Sequence, residues 1–202
     1  MRFMAEQYSG IRFDAAGFSK AALPSALMPL AREIEDACIV VKEAGLVYGI
    51  AGNLSVRCEK ERQAFLITPT GTGLANVKAR DVALVQEFDF EANVLRRGLG
   101  RRLPSSETPM HSLIYSRMPD VGAIAHLHAD SILDEKKAAK LGIAITERAL
   151  PYGTKESALA ALDALGKRDV IVMRGHGVVA VGSKIGEAVA KIINKYAESL
   201  RI

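Results

Sequence analysis

Only two cysteines, Cys38 and Cys58, occur among 202 residues, far apart and in no CxxC arrangement. That scarcity excludes a disulfide framework and a thiolate metal site, and makes a reducing cytoplasm the simplest compartment to expect. Long apolar runs are missing too. The stretch from Met1 to Leu30 is broken by Glu6, Asp14, Lys20 and Pro24, which leaves neither a secretory h-region nor a membrane span. Charge of one sign never accumulates: the formal balance is +4, with Lys and Arg interspersed among Asp and Glu, so anionic small substrates suit it at least as well as nucleic acid. No aromatic-and-basic surface motif appears, which argues against a nucleic-acid partner. Repeats and low-complexity tracts are absent. TGTGLAN, at 70–76, has the outline of a dinucleotide loop, but Asn76 stands where the third glycine belongs and no ordered βαβ unit follows, so a nicotinamide cofactor is not expected.

What is present suffices for one well-packed α/β domain, since 49% of the residues are hydrophobic. Leu30, Ile34, Ala37, Val40 and Val41 recur at helical spacing and predict a helix over 29–44, stopped by Gly45. Segments 53–57 and 64–68 read as a hairpin around the polar turn Glu59 to Arg62, and 82–87 and 93–95 as two further strands. A loop carrying Arg96, Arg97, Arg101 and Arg102 should follow, its arginines solvating a hairpin. Ser105 or Ser106 is placed to cap a helix running through Tyr115, with Pro109 in its first turn. A strand over 122–128, a helix in DEKKAAKLG, a weak strand near 143–145, a helix over 155–165, a hairpin of 170–173 with 178–181 and a helix over 185–200 complete the expectation.

All four histidines lie in the second half of the chain. In an extended segment alternate side chains share a face, so His126 and His128 of the HLH triplet can reach one ion from one strand. His176, in RGHG, supplies a third imidazole, and Glu107 places a carboxylate at a helix mouth. Three neutral imidazoles leave a zinc ion an open position from which it polarises a carbonyl and stabilises the enediolate left when a neighbouring bond breaks. Glu107 is the candidate general acid/base, or the occupant of the open metal position when no substrate is bound. Ser105 and Ser106, with backbone amides at the same helix mouth, suit a phosphate. His111, inside a helix, reads as structural.

Five segments, GIAGNLSVR (49–57), ITPTG (67–71), LPSSE (103–107), AHLHA (125–129) and RGHG (174–177), stand in the order of the motif set of the class II aldolase/adducin family. The chain resembles that family from about residue 30 to its C-terminus, with the fuculose-phosphate aldolases as the nearest branch. The resemblance implies an α/β fold, a three-layer αβα arrangement with a largely antiparallel central sheet, in a domain over 29–202 preceded by an extension over 1–28. It implies one Zn2+ per chain, with Mn2+ or Co2+ as other possible ions, held by His126, His128 and His176. Asn53, Thr70 and Gly71 would complete a phosphate pocket with Ser105 and Ser106. The implied activity is that of a class II aldehyde-lyase, which cleaves a ketose 1-phosphate to dihydroxyacetone phosphate and an aldehyde. The implied assembly is a cyclic homotetramer with active sites at its subunit interfaces.

Two positions depart from the aldolase pattern. Ile50 stands where a threonine hydroxyl is usual, and the stretch from His128 to Pro151 is shorter than the one that carries a catalytic tyrosine in the aldolases; Tyr152 is the only tyrosine nearby. A pentulose-phosphate 4-epimerase, a methylthioribulose-phosphate dehydratase and a non-catalytic adducin-like interaction module are the alternatives on the same fold. Glu107 favours the aldolase over the epimerases, which usually carry Asp there, and the retained histidines oppose the module.

Overall fold

A computed structural model describes residues 9–58 and 63–202; the expected turn from Glu59 to Arg62 lies outside them. Among the described residues nine strands form one sheet: β1 (Phe18–Lys20), β2 (Asn53–Arg57), β3 (Phe65–Ile67), β4 (Ala83–Asp89), β5 (Val94–Gly100), β6 (Ala123–Leu127), β7 (Ala144–Ile145), β8 (Val170–Met173) and β9 (Gly177–Gly182). Their order is β1-β5-β4-β3-β2-β6-β9-β8-β7. The sheet is mixed: the outermost pairings, β1 with β5 and β7 with β8, are parallel, and all pairings between them are antiparallel. Among the described residues no helix is long and apolar enough to cross a membrane.

The layers follow from the two-residue period of the strands. Leu54 and Val56 of β2, Ala123, Ala125 and Leu127 of β6, and Val178 and Ala180 of β9 face one core, closed by α1 (Met28–Glu43) and α6 (Ile185–Ser199). The residues between them, such as Ile124, Val179 and Val181, face a second core with Phe65 and Ile67 of β3. That core is closed by α2 (Thr108–Arg117) and α5 (Lys155–Leu165). Two short helices, α3 (Asp130–Leu133) and α4 (Glu135–Lys140), follow β6, and Asp134 caps the latter by accepting from the backbone N–H of Lys136 and Lys137.

Several expectations need correction. The buried stripe of α1 is Ala31, Ile34, Ala37, Cys38 and Val41, whereas Val40 is half exposed; a 3.6-residue period carries position 40 off the face that 34, 37 and 41 share. Arg96 and Arg97 lie within β5, not in a loop, and Arg96 pairs with Asp89 of β4 at 2.9 Å. Charge masked that strand's alternation. Neither Ser105 nor Ser106 caps α2: the capping position is Glu107, and Ser105 Oγ accepts only from the Glu107 N–H, at 3.3 Å. Within residues 1–28, Phe18–Lys20 joins the sheet rim as β1.

Candidate metal centre and its cavity

Asn53 and His126 are direct cross-strand partners where β2 meets β6. Strand alternation turns both side chains toward α2, so the polar end of each strand faces the first turn of that helix. Glu107 sits at that turn. Its side chain is not folded back onto the helix; its Oε2 accepts from Asn53 Nδ2 at 2.7 Å and lies 3.1 Å from His126 Nε2, while Oε1 lies 3.6 Å from His176 Nε2. His128 follows the last residue of β6, and His176 lies in the turn between β8 and β9. The three imidazole centroids are 4.8 to 5.2 Å apart, and their donor nitrogens lie within 4.8 Å of one another.

The turn is shaped for this convergence. A β-carbon at Gly177 would stand 2.4 Å from His126 Cε1 and 2.9 Å from the Leu127 carbonyl oxygen, distances no side chain accepts. Gly177 is therefore the space that His126 occupies. Gly175, at φ +66°, takes a left-handed conformation that favours glycine.

Protonation favours a cation at the cluster. Burial, and then the neighbouring His176 and His128, push His126 well below the usual histidine range; burial and His176 hold His128 at about 4. Both rings are neutral near pH 7. His126 Nδ1 donates to the Val178 carbonyl at 3.2 Å, which fixes the proton there and leaves Nε2 a bare lone pair. That lone pair is buried without a hydrogen-bond partner, although a carboxylate oxygen stands 3.1 Å away, and His176 Nδ1 is also unpartnered among the described residues. Two acceptors at such a distance repel unless a cation lies between them. Ligands about 2.0 Å from a tetrahedral ion are roughly 3.3 Å apart, so the His126 to Glu107 separation suits a shared divalent ion.

A cavity of about 620 Å³ opens beside the cluster. Asn53, Thr70, Gly71, Ser105 and Ser106 all line it, as do Glu107, His128 and His176, whereas His126 is wholly buried behind them. Ile50, 46% exposed, is also on its wall. Tyr152 reaches the cavity, but its hydroxyl accepts from the Ser9 N–H at 2.7 Å and donates to the Gly10 carbonyl at 3.2 Å, with the Arg12 guanidinium 4.4 Å over its ring.

Sequence reasoning missed two contributors. Arg174 lines the cavity, donates from Nε to the Thr146 carbonyl at 3.1 Å and pairs with Glu135; its place two residues before His176 was the available signal. His111 is wholly buried and joins Asn53 at 2.6 Å, and the signal was Asn53 and Ser55 on alternate positions of one strand.

Residues 32–195 match the family described as Class II Aldolase and Adducin N-terminal domain. The chain belongs to the class II aldolase/adducin family. Within that family it is 32% identical over 181 residues to the 5-methylthioribulose-1-phosphate/5-deoxyribulose-1-phosphate aldolase of Rhodospirillum rubrum, covering 83% of this chain and 77% of the relative. It is 29% identical over 180 residues to the 3,4-dihydroxyphthalate decarboxylase of a Terrabacter species, covering 80% of this chain and 74% of the relative. A solved L-fuculose 1-phosphate aldolase superposes with a TM-score of 0.69 at 27% identity, over 89% of this chain and 85% of the other. Relatives of this chain thus include enzymes of more than one reaction, and its architecture is shared with the solved aldolase.

Proposed function

We propose that this class II aldolase/adducin member is a metal-dependent aldolase that cleaves a phosphorylated ketose, fuculose 1-phosphate-like in form, to dihydroxyacetone phosphate and an aldehyde. The observation that carries the reading is the Glu107 carboxylate 3.1 Å from the bare Nε2 of His126, at the rim of a cavity that also holds His128 and His176. His126, His128 and His176 would hold one divalent ion, zinc by preference of the donor set, with manganese or cobalt also admissible. Bound there, it would supply a Lewis acid for the charge left on substrate oxygen.

The protein's own groups do the rest. The carbon–carbon bond breaks, its electron pair stays with the ketone-bearing fragment, and the other fragment leaves as an aldehyde once its hydroxyl proton is lost. Glu107, a carboxylate in contact with the cavity, accepts that hydroxyl proton as the bond breaks and returns it to the carbon that keeps the electron pair; in the reverse direction it removes the proton from that carbon and gives it back to the new hydroxyl. Hydroxyls of Thr70, Ser105 and Ser106 with the Asn53 amide and the Gly71 backbone would hold the phosphate. The sugar-phosphate names of two relatives support this substrate class.

A coupled assay for dihydroxyacetone phosphate over a panel of ketose 1-phosphates, comparing wild type with Glu107→Gln, tests the reading. Release by the wild type that Glu107→Gln abolishes is expected; no release from any member of the panel would sink it. A second reading, decarboxylation of an aromatic carboxylate, is favoured by Ile50 where the aldolases carry a hydroxyl, and carbon dioxide release without triose phosphate would identify it. We further propose the homotetramer with interfacial sites and a cytoplasmic location. Light scattering on the purified protein checks the assembly, with a monomeric mass as the overturning result.

A further inference from the structure

Behind Glu107 lies a row of buried polar groups of which the proposed chemistry uses only the first, Asn53. Asn53 Nδ2 donates to Glu107 at 2.7 Å, Asn53 Oδ1 meets His111 Nε2 at 2.6 Å, His111 Nδ1 meets Ser55 Oγ at 2.6 Å, and Ser55 Oγ meets the Tyr115 hydroxyl at 2.8 Å. His111 and Ser55 are wholly buried, Tyr115 2% exposed, and Asn53 and Glu107 4%.

The direction of every bond follows from one fact: a carboxylate only accepts. Asn53 must therefore turn its NH2 to Glu107 and its carbonyl to His111. The ring nitrogen facing that carbonyl must carry hydrogen. Burial holds His111 at about 4, so the ring is neutral and has only that one N–H; Nδ1 then accepts from the Ser55 hydroxyl, which in turn accepts from Tyr115. Each donor points toward Glu107. Remove the middle member and the Asn53 carbonyl loses its buried donor, which leaves the carboxylate alone to hold the amide.

We propose that His111 is a positioning residue for Glu107: its Nε2 proton fixes the orientation of the Asn53 amide, and that amide fixes the carboxylate against His126 and the cavity. The claim rests on Glu107 being the acid/base of the proposed reaction, and deepens that role.

Two measurements on the zinc-loaded protein decide it. Nitrogen-15 spectra of the histidine rings should show His111 with a protonated Nε2 and a bare Nδ1, unchanged from pH 6 to 8, whatever the substrate; a proton on Nδ1, or a charged ring, overturns the proposal. Steady-state kinetics on the best ketose 1-phosphate should show His111→Leu losing on the order of 10- to 100-fold in kcat with KM nearly unchanged. His111→Gln, whose amide N–H reaches the same carbonyl, should recover most of that loss. If His111→Leu does not fold, Ser55→Ala serves, with a smaller loss in kcat. Unchanged kcat in a folded His111→Leu or Ser55→Ala, or a His111→Gln no better than Leu, overturns the proposal. Silence of the wild type toward every ketose phosphate defeats the aldolase reading instead, and the ring spectra still decide His111.

Discussion

The same strands build both faces of the sheet, yet the two faces differ in what they bury. Toward α1 and α6, β2 and β6 present Leu54, Val56, Ala123, Ala125 and Leu127, all apolar. Toward α2 they present Ile124 to the second apolar core, but also Asn53, Ser55 and His126, polar and no less buried. Leaving water is costly for a polar group unless it finds a partner, and each member of the row from Tyr115 to Glu107 has one. Of the buried side-chain atoms without a partner among the described residues, His126 Nε2 and His176 Nδ1 stand at the candidate metal centre, and Asn93 Oδ1 lies elsewhere. One face of these two strands is wholly apolar; the other combines an apolar core with polar atoms left unmet at the candidate metal centre.

That contrast can be broken from either side. Glu107→Gln keeps the shape of the polar face and removes the acid/base, so kcat should fall by about 10²- to 10⁴-fold while metal analysis still finds about one zinc per chain; undiminished turnover would remove the carboxylate from the mechanism. Ile34→Ala, in the apolar core under α1, should cost about 2 to 5 kcal/mol in urea unfolding with kcat per folded molecule unchanged, and a matching loss of turnover would blur the division. Gly177→Ala should do both moderately. Its β-carbon meets backbone and the His126 ring, so about 1 to 3 kcal/mol of stability and most of the bound zinc should go together.

The smallest effect concerns pH. His111 titrates at about 4 in the folded protein and near 6.5 when unfolded, so below pH 6.5 the unfolded chain binds the extra proton. Its contribution is complete above about 6.5 and fades as pH falls toward 4, reaching a loss of about 2 kcal/mol by pH 5. Urea titrations of metal-free protein at pH 7 and pH 5 should show a smaller drop for His111→Gln than for wild type.

Much of the site was legible because its residues are chemically distinctive. HLH, RGHG and SSE name their groups, and the structure brings His126, His128, His176 and Glu107 to one place. The layering was legible wherever apolar residues alternate. What was hidden depended on the third dimension. Arg96 and Arg97 disguised half of β5, because a strand with a charged outer face lacks the alternation that marks strands. Ser105 looked like a cap, but only the folded helix mouth shows Glu107 in that position with its carboxylate turned away toward Asn53. His111 read as structural since no sequence spacing reveals that Asn53, 58 residues away, would meet its ring.

The parallel seam between β1 and β5 has a further consequence. Three residues near the start of the chain cover a row of backbone donors and acceptors on β5 that would otherwise be open to pairing with any extended segment of another molecule. A version trimmed to begin at residue 29 would uncover that row, and clumping on storage should trouble it before any fault in its chemistry does.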